Sequence, residues 1–281
     1  MFKILSNETL AAQVHRLVVE APRVARARRP GQFVIVRLRE GCERIPLTIA
    51  DADSERGTVT LIIQAVGEST REMTAAPAGA FFQDVAGPLG QPTHIQKWGR
   101  VACVGGGVGT AVLYPLAKAL AEAGNEVTTI IGGRSAPLVI LRDELAAFSQ
   151  VLVTTEDGSL GLKGFVTAAL AAVIADLARR PAAVFAVGPV PMMAAIAAQT
   201  KPHGIATTVS LNPIMVDGTG MCGGCRVSVG GKIMFACVDG PEFDGHQVDF
   251  KELSARLTTY QEAQCRLEER MRQLKAEEGP R

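Results

Sequence analysis

The stretch RVACVGGGVGTA, residues 100–111, passes from an apolar β-like run through a glycine turn into a segment rich in Ala and Leu. Gly105, Gly106, Gly107 and Gly109 let a backbone come close to a phosphate, and the helix that follows offers free N–H groups and the positive end of its dipole. Thr110 stands where the third glycine of a GxGxxG motif belongs, and no Lys completes a P-loop. Taken alone, the run is either a pyrophosphate cradle or a tight turn. Its surroundings favour the cradle. Downstream, EVTTIIGG precedes LRDELAAF, VLVTTED precedes GFVTAALAAVIADLARR, AAVFAVGP precedes PMMAAIAAQT, and ATTVSLN follows. Strand and helix in strict turn predict a parallel sheet covered on both faces. Gly188 and Pro189 close AAVFAVGP at the carboxyl end of a strand, the side on which such sheets bind ligands.

Upstream of Trp98 the pattern changes. HRLVVEAP, GQFVIVRLRE, RIPLTIAD and GTVTLIIQAVG are short, rich in Val, Ile and Thr, and separated by Gly, Pro and Asp turns, which predicts a small antiparallel barrel. The expected fold is therefore β plus α/β. Residues 1–97 form the barrel, 98–212 the parallel-sheet domain, and 213–281 a cysteine-bearing segment followed by a charged, exposed helix. With 281 residues, 47% of them hydrophobic, the chain can fill two cores. Lys and Arg number 29 against 28 Asp and Glu, so bulk charge gives no reason to expect nucleic acid or an anionic membrane as partner. The run Arg23, Arg26, Arg28, Arg29 is read as a solvated loop rather than a docking patch. The N-terminal segment lacks the apolar core of a signal peptide and no apolar run reaches spanning length. A cytoplasmic protein is expected.

VDGTGMCGGCRVSVGGKIMFACVDG, residues 216–240, places Cys222, Cys225 and Cys237 close together. Structural zinc and iron–sulfur clusters both normally take four protein ligands, so one ligand is missing. A zinc site completed by His246 is one alternative, although the gaps from Cys225 to Cys237 and from Cys237 to His246 do not match common zinc spacing. Cys42, Cys103 and Cys265 sit singly at unrelated spacings, as reduced thiols do.

The barrel and sheet together resemble the ferredoxin–NADP reductase superfamily over nearly the whole chain. RIPLTIA matches the flavin-contacting strand, QAVGEST the flavin phosphate loop, GPLG the domain junction and GGGVGTA the nicotinamide nucleotide site. The cysteine segment narrows the resemblance to the branch that holds the electron-transfer subunit of dihydroorotate dehydrogenase. Within that branch it is most similar to the small subunits of NADH-dependent ferredoxin:NADP oxidoreductases. The resemblance implies three cofactors: FAD, NAD(H) and a two-iron, two-sulfur cluster (2Fe-2S). Ferredoxin-type sites use C-x4-C-x2-C and a distant fourth cysteine; Asp217 precedes Cys222 by the four-residue gap and is identified as the fourth ligand beside Cys222, Cys225 and Cys237. The same comparison assigns the flavin to Pro46, Leu47 and Thr48, its phosphate to Val66, Gly67, Ser69 and Thr70 on a flexible turn, and its pyrophosphate to Arg44. The usual aromatic and serine of the flavin strand are replaced by Leu47 and Thr48, so the ring would stack on aliphatic surface. Glu156, Asp157 and Ser159, in a loop specific to the branch, would contact the nicotinamide or ribose or simply cap a turn.

These cofactors imply a relay. Nicotinamide exchanges a hydride and an iron–sulfur cluster exchanges single electrons, so a flavin must stand between them. No side-chain acid or base is required for hydride transfer, and no catalytic residue is assigned. The family's partner is a larger flavoprotein subunit with its own FAD and 4Fe-4S clusters, through which ferredoxin is reached indirectly. Two rival readings are the electron-transfer subunit of dihydroorotate dehydrogenase, which normally has cysteine at the position of Asp217, and a zinc-stabilised nucleotide-binding module. Arg134, after the second strand of the sheet, favours NADPH when read alone; the family implies NADH.

Overall fold

The computed structural model describes residues 1–259 and Arg270. Seven strands, β1 (Phe2–Ala11), β2 (Val14–Glu20), β3 (Phe33–Arg37), β4 (Ile45–Asp53), β5 (Thr58–Gln64), β6 (Phe81–Phe82) and β7 (Asp84–Leu89), form a nearly closed antiparallel barrel in the order β6-β1-β2-β5-β4-β3-β7. The strand β1 has no counterpart among the expected segments. It folds back on β2 through Gln13, whose φ is +63°. Two short helices decorate the barrel, α1 (Pro22–Ala27) and α2 (Glu68–Ala75). The arginine run is therefore not all loop: Pro22 starts α1, Val24 and Ala25 are buried, Arg23 and Arg26 face solvent, and Arg28 pairs with Asp51 at 3.2 Å.

The second sheet collects the parallel strands β8 (Arg100–Gly106), β9 (Glu126–Gly133), β10 (Gln150–Thr155), β11 (Leu162–Lys163), β12 (Ala183–Val187) and β13 (Ala206–Ser210), connected through α3 (Gly109–Glu122), α4 (Arg142–Ala146), α5 (Val166–Ala175) and α6 (Val190–Thr200). Beyond them come a hairpin, β14 (Arg226–Val229) and β15 (Lys232–Phe235), then β16 (Glu242–Asp244), which joins β13 as an antiparallel edge. The order β11-β10-β9-β8-β12-β13-β16 reverses between β8 and β12. That switch point opens a crevice at the carboxyl ends of both strands, the usual nucleotide site of an open parallel sheet.

Three buried clusters hold the parts together. One lies inside the barrel, around Leu17, Ile49, Leu61, Ile63, Met73 and Phe82. A second joins barrel residues Val14, Ala50 and Ile62 to Leu113, Leu116 and Leu120 of α3. The third joins Phe33 and Ile35 of the barrel, Val104 and Val184 of the sheet, and Cys225 and Cys237. The helix α7 (Phe250–Thr258) starts at Asp249, whose side chain accepts from the Glu252 N–H at 2.9 Å. The remainder of the expected C-terminal helix, and Cys265 with it, lies outside the described residues.

Candidate redox site at the junction of barrel, sheet and cysteine loop

At the carboxyl end of β8 the chain turns through Gly107, whose N–H donates to Gly132 O at 2.8 Å, and enters α3 at Gly109. Gly109 must lack a side chain: a Cβ there would lie 2.5 Å from Val187 O and 3.0 Å from Gly188 Cα. This contact draws the start of α3 against the end of β12. The structure therefore brings Gly105, Gly106, Gly107, Gly109 and Thr110 together with Gly188 and Pro189, from a segment some eighty positions away in sequence. The N-terminus of α3 opens between them, with its Thr110 and Ala111 N–H groups bonded back to Gly107 O at 3.2 Å and Val108 O at 2.9 Å. On the other flank, Glu156 and Asp157 follow β10 in a turn bound to the end of β9, through Glu156 N–H to Gly133 O and Asp157 N–H to Arg134 O, both 3.2 Å. Asp157 accepts from Ser159 Oγ at 2.6 Å and from its N–H at 2.9 Å, and these bonds hold its carboxyl below the ordinary range. Ser159 Oγ in turn accepts from Ala136 N–H at 2.8 Å. The capping role foreseen for this loop is visible; Arg134 stands exposed beside it.

On the barrel, Pro46, Leu47 and Thr48 form the half-buried first part of β4. This part pairs with β3 alone, because β5 joins β4 only from Ile49 onward. Pro46, which has no N–H, thus sits where one edge of the strand is open. Gly67, Ser69 and Thr70 do not form the flexible turn expected of them: they are the N-terminus of α2. Thr70 Oγ1 accepts from the N–H groups of Val66 and Gly67, both at 3.0 Å, and Ser69 Oγ donates to Glu43 at 2.7 Å. Both hydroxyls are thus already engaged, and the groups left to meet an anion here are the N–H groups at the start of α2. Arg44 points elsewhere as well, with Nε donating to Val216 O at 3.0 Å. It ties the strand before Pro46 to the cysteine loop.

That loop lies directly against the barrel. Gly218, at φ +76°, passes so close that a Cβ would sit 2.7 Å from Leu89 and 3.0 Å from Ile35. Its ligand candidates fall into two pairs. Cys225 and Cys237, 1% and 2% exposed, are free thiols with their sulfurs 3.1 Å apart; burial pushes the Cys237 thiol up to about 12. Asp217 and the exposed Cys222 form the other pair, Asp217 accepting the Cys222 N–H at 2.8 Å and the Thr219 N–H at 2.9 Å. These bonds keep the Asp217 carboxyl low, and each of its oxygens keeps a lone pair for a metal. Gly224 N–H donates to Cys222 Sγ at 3.5 Å. Two buried thiols face to face, an ionised carboxylate beside a third thiol, and a backbone amide aimed at sulfur fit an iron–sulfur cluster. A single ion fits poorly: among the described residues no three His, Cys, Asp or Glu side chains converge on one point. His246, the fourth ligand of the zinc alternative, is turned away to Thr200 Oγ1 at 2.9 Å.

Sequence reasoning missed the clasp that fastens this loop. Gln91, just after GPLG, donates its N–H to Gly240 O at 2.6 Å and its Nε2 to Val238 O at 2.9 Å. It also missed Glu242 on β16, whose carboxylate accepts from Thr93 Oγ1 at 2.7 Å. Burial pushes the Glu242 carboxyl up to about 7, against the Thr93 hydrogen bond. A charged residue between Pro241 and Phe243 was the sole local signal.

Residues 212–249 match the iron–sulfur cluster binding domain of dihydroorotate dehydrogenase B. A protein of Thermotoga maritima named as a dihydroorotate dehydrogenase B (NAD(+)) electron transfer subunit homolog is 48% identical over 260 residues, 92% of each chain. Among solved structures, a chain of the NADH-dependent reduced ferredoxin–NADP oxidoreductase, studied for flavin-based electron bifurcation, is 46% identical with a TM-score of 0.91, covering 96% of this chain and 98% of that one. The ferredoxin reductase of carbazole 1,9a-dioxygenase shares the fold at 17% identity and TM-score 0.59, over 72% of this chain and 63% of that one. The barrel, the nucleotide crevice and the cysteine loop thus recur together along the full length, and the chain belongs to the family of dihydroorotate dehydrogenase B electron-transfer subunits and their homologues.

Proposed function

We propose that the chain is an electron-transfer flavoprotein subunit that passes electrons between NAD(H), FAD and a 2Fe-2S cluster, as in electron-bifurcating NADH-dependent ferredoxin:NADP oxidoreductase. The observation that carries this reading is the seat of the cysteine loop. It rests on Ile35 and Leu89 of the barrel, one strand from Pro46–Thr48, and is tied to Arg44. When bound, the flavin converts hydride chemistry at the nicotinamide into single-electron chemistry at the cluster. The chain's own residues bind and orient. The α3 N-terminus with Gly105–Thr110, Gly188 and Pro189 holds the dinucleotide pyrophosphate, Leu47 and Thr48 line the flavin, and the N–H groups of Glu68, Ser69 and Thr70 at the start of α2 take its phosphate. Asp217 and Cys222 serve one iron and Cys225 and Cys237 the other, the pairing their contacts suggest.

In this reading residues 1–97 are the FAD-binding barrel, 98–212 the NAD-binding domain and 213–281 the cluster segment. The relatives' description as electron-transfer subunits implies a larger partner; the finer assignment is a flavoprotein carrying FAD and 4Fe-4S clusters, with ferredoxin reached through it. The single, unpaired thiols Cys42 and Cys103 support a reducing, cytoplasmic setting. Among the described residues no helix is long and apolar enough to cross a membrane.

The test is iron, sulfide and flavin analysis of the purified chain with a visible spectrum, followed by NADH oxidation. The expected result is a flavin and iron–sulfur spectrum, with NADH oxidised by an artificial acceptor but no ferredoxin reduced by this chain alone. Zinc without flavin would refute the relay. Ferredoxin reduction by the isolated chain would refute the assignment of bifurcation to a partner.

A further inference from the structure

Glu242 occupies the point where the three parts of the molecule meet. It lies on β16, opposite Ser210 of β13. Its bonding partner Thr93 belongs to the link between barrel and sheet and donates its own N–H to Pro30 O at 2.8 Å. Two residues beyond Pro30, Gln32 O accepts from Ile49 N–H at 3.3 Å, and Phe33 pairs with Thr48, a residue of the flavin strand. In the other direction Pro241 and Gly240 lead back to the Gln91 clasp and to Cys237. The carboxylate therefore stands between the strand proposed for the flavin and the loop proposed for the cluster.

No salt bridge among the described residues reaches Glu242. Among the described residues no Lys, Arg or His contributes to its titration: burial and the neutral Thr93 hydroxyl are what act on it. The titratable group that feels it from the sheet is Cys103 of β8, itself held as a neutral thiol by burial. Asp244 and His246, which follow it in the chain, are engaged with each other, with Gln247 and with Thr200.

We propose that Glu242 is the residue that takes up a proton when the adjoining iron–sulfur site receives an electron. The inference rests on the relay proposed above. As one electron enters the site from the NADH-reduced flavin, the Glu242 carboxyl shifts toward its protonated form and takes up a fraction of a proton from water. When the electron leaves toward its acceptor, Glu242 returns that fraction. No bond to carbon forms or breaks, and the proton taken up offsets part of the added charge. Burial pushes the carboxyl up to about 7, so the proton is available at neutral pH. Five positions separate Glu242 from Cys237, which places their Cα atoms within roughly 18 Å. At that upper limit and an effective dielectric near 20, one added electron changes proton affinity about fivefold.

The experiment is a redox titration of the cluster in the FAD- and iron-loaded chain, followed by electron paramagnetic resonance from pH 5 to 9. The cluster has no proton of its own to exchange, so a pH-dependent midpoint reports a neighbouring group. In the wild type the midpoint should fall across neutral pH by about 40 mV, the fivefold change converted at 59 mV per tenfold for one electron. Glu242→Gln should abolish the fall. Thr93→Val, which removes the bond favouring the ionised form, should keep the fall but move it to higher pH. A flat wild-type potential, an unchanged slope in Glu242→Gln, or a fall that does not move in Thr93→Val would overturn the assignment and leave the relay standing. Failure of the wild type to hold iron would end both.

Discussion

Replacing Gly109 by Ala tests whether the nucleotide crevice depends on contact between two backbones. The added Cβ would lie 2.5 Å from Val187 O, 2.9 Å from Val187 C and 3.0 Å from Gly188 Cα. Those are backbone atoms at the end of the buried strand β12 and of the glycine that follows it, so no side chain can swing aside and the start of α3 must retreat by several tenths of an ångström. Overpacking of this kind costs about 1–3 kcal/mol. The gain in helix propensity from Gly to Ala, at most about 1 kcal/mol and less at a helix end, offsets part of it. A net loss of roughly 1–2 kcal/mol is expected, or a few degrees in Tm. The same retreat separates the α3 N–H groups from Gly188 and Pro189, so a pyrophosphate can no longer meet both. NADH affinity should then fall by about tenfold, which corresponds to about 1.4 kcal/mol. Differential scanning calorimetry of the cofactor-free chain and a fluorescence titration with NADH read the two effects separately. Lower stability with unchanged NADH affinity would place the dinucleotide elsewhere. If neither quantity changes, the close packing itself has no consequence and the argument fails.

Other perturbations probe the remaining parts. Asp217→Ala should lower or destabilise bound iron, whereas Asp217→Cys, which restores full ferredoxin-type spacing, should retain the cluster with altered absorption and potential; flavin reduction by NADH should survive both, and unchanged iron content and spectrum in both would remove Asp217 from the site. Glu242 titrates near 4.5 when unfolded and near 7 when folded, so its contribution to stability is complete below about 4.5 and is lost as pH rises through 7. At 1.36 kcal/mol per unit, and allowing for its partial access to solvent, Glu242→Gln should gain roughly 1–3 kcal/mol over the wild type at pH 8 and little at pH 4.5; urea unfolding of the cofactor-free chains at the two pH values checks this, and an equal difference at both contradicts it. Direct titration should show tighter binding of NADH than NADPH, with Asp157 and Glu156 beside Arg134 at the end of β9 disfavouring a 2′-phosphate; the reverse order would favour Arg134 as a phosphate ligand.

What could be read from the chain follows from how local each signal is. The parallel sheet was legible because β8, β9 and β12 are largely buried strands each followed by a helix, so each apolar run and each Ala/Leu-rich run declares itself without its neighbours. The cysteine loop was legible because the residues from Asp217 to Cys237 lie within one short segment, where ligand spacing is a property of the sequence. The strand β1 was not: along FKILSNETLA only Ile4 and Ala11 are buried, so no alternation marks it, and pairing with β2 holds it in place. GEST reads as a flexible turn because Gly, Ser and Thr serve both turns and helix starts. The bonds from Val66 and Gly67 to Thr70 decide the matter, and they form only once α2 exists.

The least legible feature is the one on which the redox-linked proton depends. Glu242 and Thr93 are 149 positions apart, and neither belongs to a motif. An acidic residue in a three-residue edge strand reads as solvent-facing until β16 is placed against β13 and the barrel link is laid across it. Its raised carboxyl is thus a property of the assembled junction. The same junction explains why such a costly group is tolerated: ionised Glu242 is held by a single neutral hydroxyl, but protonated it costs little, and a protein that gains an electron nearby spends part of its cycle in the form that favours the proton. If that is the reason for its presence, an apolar residue of similar size at position 242 should raise stability at neutral pH while removing the link between cluster potential and pH. A stable variant that kept the link would show that the proton resides elsewhere.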